Sequence, residues 1–240
     1  GHINVHETGA IEATGHKVIA LPNKDGKIAA EQIDACCREH FSAGNAEHMV
    51  QPGMVYVSNP TEYGTLYTKT ELESIRKVCS EYDLILFVDG ARMAYGLGAD
   101  GNDLTLADYA AISDVFYIGG TKAGALFGEA VVITDEQLKK DFRYMIKRQG
   151  GMLAKGRLLG IQYEVLMEGD LYTELGRHAN ALAEKIKEAF LRKGYESYMD
   201  SVTNQQFFIL PLTDLEKLGK KYSYSFEKNT DATHALVRFC

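Results

Sequence analysis

The sequence predicts an α/β fold, a mostly parallel sheet flanked by helices, with an incomplete small α+β unit behind it. Two observations carry this. Through the first half, short runs rich in β-branched and aromatic residues alternate with helix-length amphipathic segments, as expected of βα units around a parallel sheet. After Thr134 the alternation gives way to successive helices, and from Gln205 onward the chain returns to strands.

In chain order, Val18–Leu21, Met54–Ser58, Leu84–Asp89, Val115–Gly119 and Ala130–Thr134 read as strands. Ile28–Phe41 and Thr68–Tyr82 have helical periodicity between them, and Thr68 followed by Glu71 has the spacing of a capping box. Asp135–Arg148, Ala154–Met167 and Tyr172–Lys193 read as three further helices. The last strands are Gln205–Leu210, Tyr224–Glu227 and Ala235–Phe239. A boundary near Glu168 to Tyr172 divides a large α/β domain, residues 1–168, from a small α+β domain, residues 169–240. The chain opens on Gly1-His2 and stops inside the apolar run Val237-Arg-Phe-Cys240, so each domain is expected to lack a part at its outer end.

Composition narrows the function classes. A formal net charge of -7 argues against a nucleic-acid surface, which needs clustered Lys and Arg to neutralise phosphates. No stretch approaches the roughly 18 apolar residues of a membrane span, and no basic segment followed by an apolar one marks the start for export. The four cysteines include no C-x-x-C pair and read as reduced thiols of a cytoplasmic protein, with no metal site. His2 and His6 stand four apart but lack a His-Glu-x-x-His motif, so they too are not read as metal ligands. Gly96-Leu-Gly-Ala-Asp-Gly101 satisfies a dinucleotide-binding pattern, yet it follows Arg92-Met-Ala-Tyr95 rather than a strand and reads as a surface loop.

Chemistry gathers at two strand ends. Leu84-Ile-Leu-Phe-Val-Asp89-Gly-Ala-Arg92 is an apolar strand ending on an acid, and in open α/β sheets ligands bind beyond the carboxyl ends of strands. Alone, Asp89 reads equally as a helix cap. Val115-Phe-Tyr-Ile-Gly119 runs into Gly120-Thr121-Lys122, which alone reads as a surface turn. A lysine partly desolvated in a pocket has the lowered pKa that Schiff-base chemistry needs. The pair fits a pyridoxal-phosphate enzyme, which needs a lysine for the aldehyde and a carboxylate for the pyridinium nitrogen.

Phe87-Val-Asp-Gly-Ala-Arg92 followed by Gly120-Thr-Lys122 resembles the fold-type I threonine aldolases and related β-eliminating lyases, over essentially the whole chain. The resemblance implies pyridoxal 5'-phosphate linked to Lys122, with Asp89 on its ring nitrogen and Thr121 beside it. His2-Ile-Asn-Val-His-Glu7-Thr-Gly-Ala10 is similar to a family segment whose histidine stacks on the cofactor, and His2 takes that role. Arg92 and Arg238 correspond to arginines that bind the substrate carboxylate, with a plain salt bridge as the competing reading of Arg92.

Two departures stand out. Ser58-Asn-Pro-Thr-Glu-Tyr-Gly64 replaces the family's Asn-Thr-His, so Glu62 or Tyr63 stands near the substrate instead. In Gln149-Gly-Gly-Met-Leu153-Ala-Lys155-Gly, Leu153 occupies the place of a phosphate-binding arginine, a task left to Lys155 or Arg157. The family's phosphate-binding turn is expected upstream of His2, outside these residues. The resemblance implies cleavage of L-threonine or L-allo-threonine by a homodimer or homotetramer. Alternatives are β-elimination, transamination, or an inactive fragment.

Overall fold

The computed structural model describes residues 1–240. A short helix α1 (His2–Val5) leads through irregular chain to α2 (Ala30–Ser42). Then follow β1 (Met54–Ser58), α3 (Lys69–Glu81), β2 (Ile85–Asp89), α4 (Met93–Leu97), α5 (Leu106–Ile112), β3 (Val115–Gly119) and β4 (Glu129–Ile133). Helices α6 (Glu136–Lys139), α7 (Phe142–Arg148), α8 (Arg157–Leu166) and α9 (Leu171–Arg192) come next. The chain ends with β5 (Glu196–Ser197), β6 (Gln206–Pro211), α10 (Leu212–Gly219), β7 (Ser225–Asn229) and β8 (His234–Phe239).

Strands β1, β2 and β3 lie side by side and parallel, and β4 closes that sheet antiparallel to β3. The second sheet is antiparallel throughout, in the order β5-β6-β8-β7. Alternation along a strand sends neighbouring side chains to opposite faces. Val55, Val57, Leu86, Val88, Phe116 and Ile118 therefore share one face, and they pack with Ile33 and Cys37 of α2, Leu72 and Ile75 of α3, and Tyr109 of α5. Full burial of each such aliphatic side chain contributes about 1.5–3 kcal/mol. Tyr56, Phe87 and Tyr117 fall on the other face and remain half-buried.

Helix starts follow local chemistry. Thr68 Oγ1 accepts from Glu71 N at 3.2 Å while Glu71 Oε2 accepts from Thr68 N at 2.7 Å, the expected capping box. Thr105 and Asp108 repeat the device at α5, a helix of only two turns that leaves little periodicity in the sequence. Helix α10 carries Leu212, Leu215 and Leu218 on a helical spacing, and only Leu215 is buried there.

Three expectations are corrected. Val18–Leu21 forms no strand, because no neighbouring strand offers it a ladder. Asp135–Arg148 is two short helices, interrupted where Asp141 takes a φ of 60°. The Gly96–Gly101 segment is no surface loop at its start: Gly96 and Gly98 are buried, and they bring α4 against Pro60 and α9.

Helix α9 serves both sheets. Tyr172 near its start belongs to the larger core and donates through its hydroxyl to Gly119 O at 2.6 Å, whereas Phe190 near its end packs on Phe208 of β6. Its middle crosses α4 in backbone contact, since a Cβ added at Gly176 would stand 1.9 Å from Ala94 O. Gly176→Ala must therefore push two helices apart. The expected cost is about 3 kcal/mol, read as a lower urea midpoint with an unchanged slope.

Candidate active site

Because β1, β2 and β3 are parallel, their carboxyl ends open on one edge. Ser58 pairs with Asp89 across β1 and β2, and the pairing of Val88 with Phe116 sets Asp89 beside Tyr117 of β3. A cleft of about 220 Å³ opens there, lined by 13 residues that include His2, Glu7, Glu62, Asp89, Arg92 and Lys122.

Asp89 lies at the cleft floor and is 7% exposed. Its Oδ2 accepts from the Tyr56 hydroxyl at 2.5 Å and, more distantly, from Ser58 Oγ at 3.4 Å. Its Oδ1 accepts from the Tyr117 hydroxyl and from Ala91 N at 2.8 Å. The bond to Ala91 N is a local turn, so the capping reading of Asp89 holds only in part; α4 begins later, at Arg92, with no side-chain cap. Burial first, and then the charge of Asp89, push the Tyr56 and Tyr117 phenols far above their ordinary pKa, which keeps both as donors.

Lys122 follows β3 through Gly119 and Gly120, where a Cβ would stand 2.5 Å from Ala91 O and 2.4 Å from Tyr163 Oη. The Tyr95 hydroxyl donates to Lys122 O and fixes the turn. The lysine sits at the cleft rim and is exposed as a residue, yet the walls desolvate its ammonium and the Arg92 guanidinium repels it. Both effects lower its pKa, desolvation more, while Asp89 and Glu129 oppose them. Arg92 is itself lowered, chiefly by burial. No Asp or Glu side chain pairs with it, its Nε is buried without a partner, and the groups that draw its charge are Cys240 and Tyr95, so it is not a plain salt bridge.

His2 and Glu7 close the cleft from α1 and the turn after it. His2 Nδ1 lies 2.9 Å from Glu7 Oε1. The Glu62 carboxylate accepts from His2 N, tying the Ser58–Gly64 loop to α1.

Other anticipated residues stand apart. Tyr63 does not line the cleft; its ring packs on Tyr198 and Phe207 beside the second sheet. Thr121 and Lys155, like Arg157, are exposed and outside the cleft lining. Arg238 is likewise outside it, held by Glu227 at 3.3 Å and by Gln205 Oε1 at 3.2 Å. The sequence reading missed Tyr56, Ser58, Tyr117 and Glu7. A polar residue on alternate positions of β1 and β3 was the available signal, but it points to a site only once those strands are known to flank β2.

This arrangement has counterparts among known proteins. The cystalysin structure from Treponema denticola, which contains a pyridoxal 5'-phosphate cofactor, matches 96% of this chain and 61% of its own with a TM-score of 0.65; at 15% identity the likeness concerns the fold alone. The fold is thus the fold-type I architecture of pyridoxal-phosphate enzymes. Residues 1–210 match the family model of the beta-eliminating lyases, and the chain belongs to that family. The structure of Leishmania major threonine aldolase is similar to all of this chain and to 69% of its own, with 47% identity and a TM-score of 0.96. The low specificity L-threonine aldolase of Pseudomonas aeruginosa is 30% identical over 189 residues, 78% of this chain and 54% of the relative. The chain thus spans about half the length of such curated relatives.

The lowered pKa of Lys122 has a direct consequence. Its amine should become nucleophilic at a lower pH than that of a lysine free in water, with a midpoint below 10.5. Competitive acetylation read by peptide mass spectrometry should therefore label Lys122 ahead of the exposed lysines at mildly alkaline pH. Labelling no faster than theirs would contradict the desolvation of the ammonium.

Proposed function

We propose that this chain carries the active site of a pyridoxal 5'-phosphate-dependent carbon-carbon lyase that cleaves L-threonine or L-allo-threonine to glycine and an aldehyde. Family membership and likeness to threonine aldolases support the reaction class. The observation that carries the site is the meeting in one cleft of Lys122, Asp89 and an Arg92 whose Nε has no partner.

The residues fit the ring end of such a cofactor. A lysine of lowered pKa, a buried carboxylate and a histidine ring converge there, and the orphaned Arg92 Nε supplies a donor without a protein acceptor. When bound, the cofactor supplies an electron sink for the breaking Cα–Cβ bond. Lys122 Nζ would hold its aldehyde carbon, Asp89 would retain the proton on its ring nitrogen, and His2 would cover its face. Thr121, next to Lys122, and Lys155, reaching in from a second copy, would serve the phosphate.

Arg92 would grip the substrate carboxylate, a task suited to the fork of a guanidinium. Arg238 is the second candidate, near enough to Arg92 to repel it. Glu7 at His2 Nδ1 favours the tautomer with its proton there, which leaves Nε2 to take the proton of the β-hydroxyl. Glu62 stands on the same side of the cleft, where it would meet the substrate side chain.

We place the enzyme in the cytoplasm as a homodimer or homotetramer. Four free cysteines support a reducing compartment. Exposed Leu126, Tyr144, Met145, Leu153, Leu158 and Ile161 support a subunit contact along the loop before β4, α7 and the start of α8. No helix is long and apolar enough to cross a membrane.

The decisive measurement follows aldehyde, glycine, ammonia and keto acid in parallel. Wild-type protein should yield aldehyde and glycine from L-threonine or L-allo-threonine, and Lys122→Ala should lose at least about 10³-fold in rate. Equal rates in the two proteins would remove Lys122 from the mechanism. Ammonia with a keto acid would replace the lyase reading by elimination or transamination.

A further inference from the structure

We infer that Tyr56 and Tyr117 are positioning residues: their phenols reach in from the strands on either side of β2 and hold the Asp89 carboxylate as an oriented anion for the ring nitrogen of the cofactor. This rests on the reading of Asp89 proposed above, and goes beyond it by assigning the two groups that set its direction and strength.

The geometry begins with strand order. Strand β2 lies between β1 and β3, so a residue on its cleft face has one neighbour on each side. Tyr56 stacks on Phe87 with ring centroids 5.2 Å apart and planes 11° from parallel, and Phe87 meets Tyr117 at 6.1 Å. Three rings in a row thus pave the sheet face and fix where the two hydroxyls stand. Both hydroxyls converge on Asp89, one on each oxygen.

An ionised carboxylate accepts at about four lone-pair positions. Tyr56, Tyr117 and Ala91 N fill three of them with close contacts. The fourth is met only by Ser58 at 3.4 Å, too long for a strong bond. The carboxylate is therefore anchored but not saturated, and its weakly used position is on Oδ2. That position would be free to receive the ring N–H of the cofactor without displacing either phenol. Bonds to charged acceptors are among the stronger hydrogen bonds, so the clamp resists rotation of the carboxylate when nothing else holds it.

The surrounding charges act on the same group. Lys122 from the turn after β3, Arg92 from the segment after β2, and Glu7, Glu62 and His2 all line the cleft in which it stands. None of them approaches Asp89 with a hydrogen bond; only the phenols, Ser58 and Ala91 N do. Both phenols are driven upward in pKa by burial and by Asp89, so they remain protonated donors throughout the working range.

The test compares wild type with Tyr56→Phe, Tyr117→Phe and the double variant, changes that keep each ring and remove only its hydroxyl. Binding of pyridoxal 5'-phosphate is titrated by visible absorbance, and thermal unfolding of the unloaded protein is followed at neutral pH with and without the Asp89→Ala substitution. Each single variant should bind about tenfold more weakly, and the double variant more weakly still.

In the unloaded protein the two phenols donate to the Asp89 carboxylate whether or not cofactor is present. The variants should therefore unfold at lower temperature than wild type, and that loss should largely vanish in the Asp89→Ala background, where the phenols have no carboxylate to hold. Variants with wild-type affinity would overturn the inference, as would phenylalanines that cost nothing in unfolding. A wild-type protein that takes up no cofactor would instead sink the proposed function. The unfolding series then decides the clamp without it: a loss that depends on Asp89 sustains it, and a loss of equal size without Asp89 overturns it.

Discussion

A carboxylate that is 7% exposed at the end of β2 governs the design of the surrounding sheet, since burying such a charge without partners costs several kcal/mol. The parallel arrangement answers that cost. It brings three strand ends to one edge, so β1 and β3 each deliver a hydroxyl to the residue that closes β2. In an antiparallel pair the neighbouring end would point away. The antiparallel β4 has a different use: it starts at that edge with Glu129, whose carboxylate accepts from Gly120 N at 2.7 Å beside the lysine turn, and carries the chain back away from it.

The same edge is tied to the second sheet by a buried polar seam. Asn59, Thr61, Ser201, Thr203, Gln205 and Gln206 are all at most 2% exposed. Asn59 receives Tyr67 N at 3.0 Å and donates to the Tyr109 hydroxyl at 2.6 Å. Gln205 donates to Glu62 O at 3.1 Å and accepts from Arg238, so one amide joins the cleft wall to β8. Gly64, with φ +77°, is required at the crossing: a Cβ there would stand 2.0 Å from Ser201 Oγ. Partly satisfied polar networks are costly, whereas satisfied ones specify a single arrangement. Here the seam, satisfied apart from Gln206 Oε1, fixes the Ser58–Gly64 loop, and through Glu62 it fixes the helix that carries His2.

What was legible in the sequence follows the range of the forces involved. Strands β1 to β4, the capping box of α3 and the long amphipathic α9 were readable because each depends on neighbours close in sequence. Asp89 and Lys122 were readable as charged residues closing apolar strands, and Arg92 through its spacing from Asp89. The chemistry of the loop Ser58–Gly64 was only half legible: Glu62 faces the cleft, but Tyr63 turns to Tyr198 and Phe207, partners that no local pattern announces. The Gly96–Gly101 segment misled for the same reason. Its glycines answer to α9 and Pro60, about 80 and 40 positions away along the chain, and close backbone approach leaves no periodic mark. The tyrosines over Asp89 required strand order, which a single sequence does not supply.

The two ends of the cleft differ in completeness, and that difference bears on assembly. At the floor, every group that Asp89 needs comes from one chain and is half-buried or better. Beyond the rim at Lys122, outside the cleft lining, Thr121, Lys155 and Arg157 are exposed, as are apolar Leu126, Leu153 and Leu158. A binding site gains strength from walls that exclude water, because charge interactions weaken steeply in a high dielectric. On the proposed reading, the phosphate end of the cofactor would lie against this open rim, and a second copy seated on the apolar residues would both cover them and bring its basic side chains to the phosphate. On that reading the ring chemistry would belong to a single chain, and retention of the cofactor would belong to the pair.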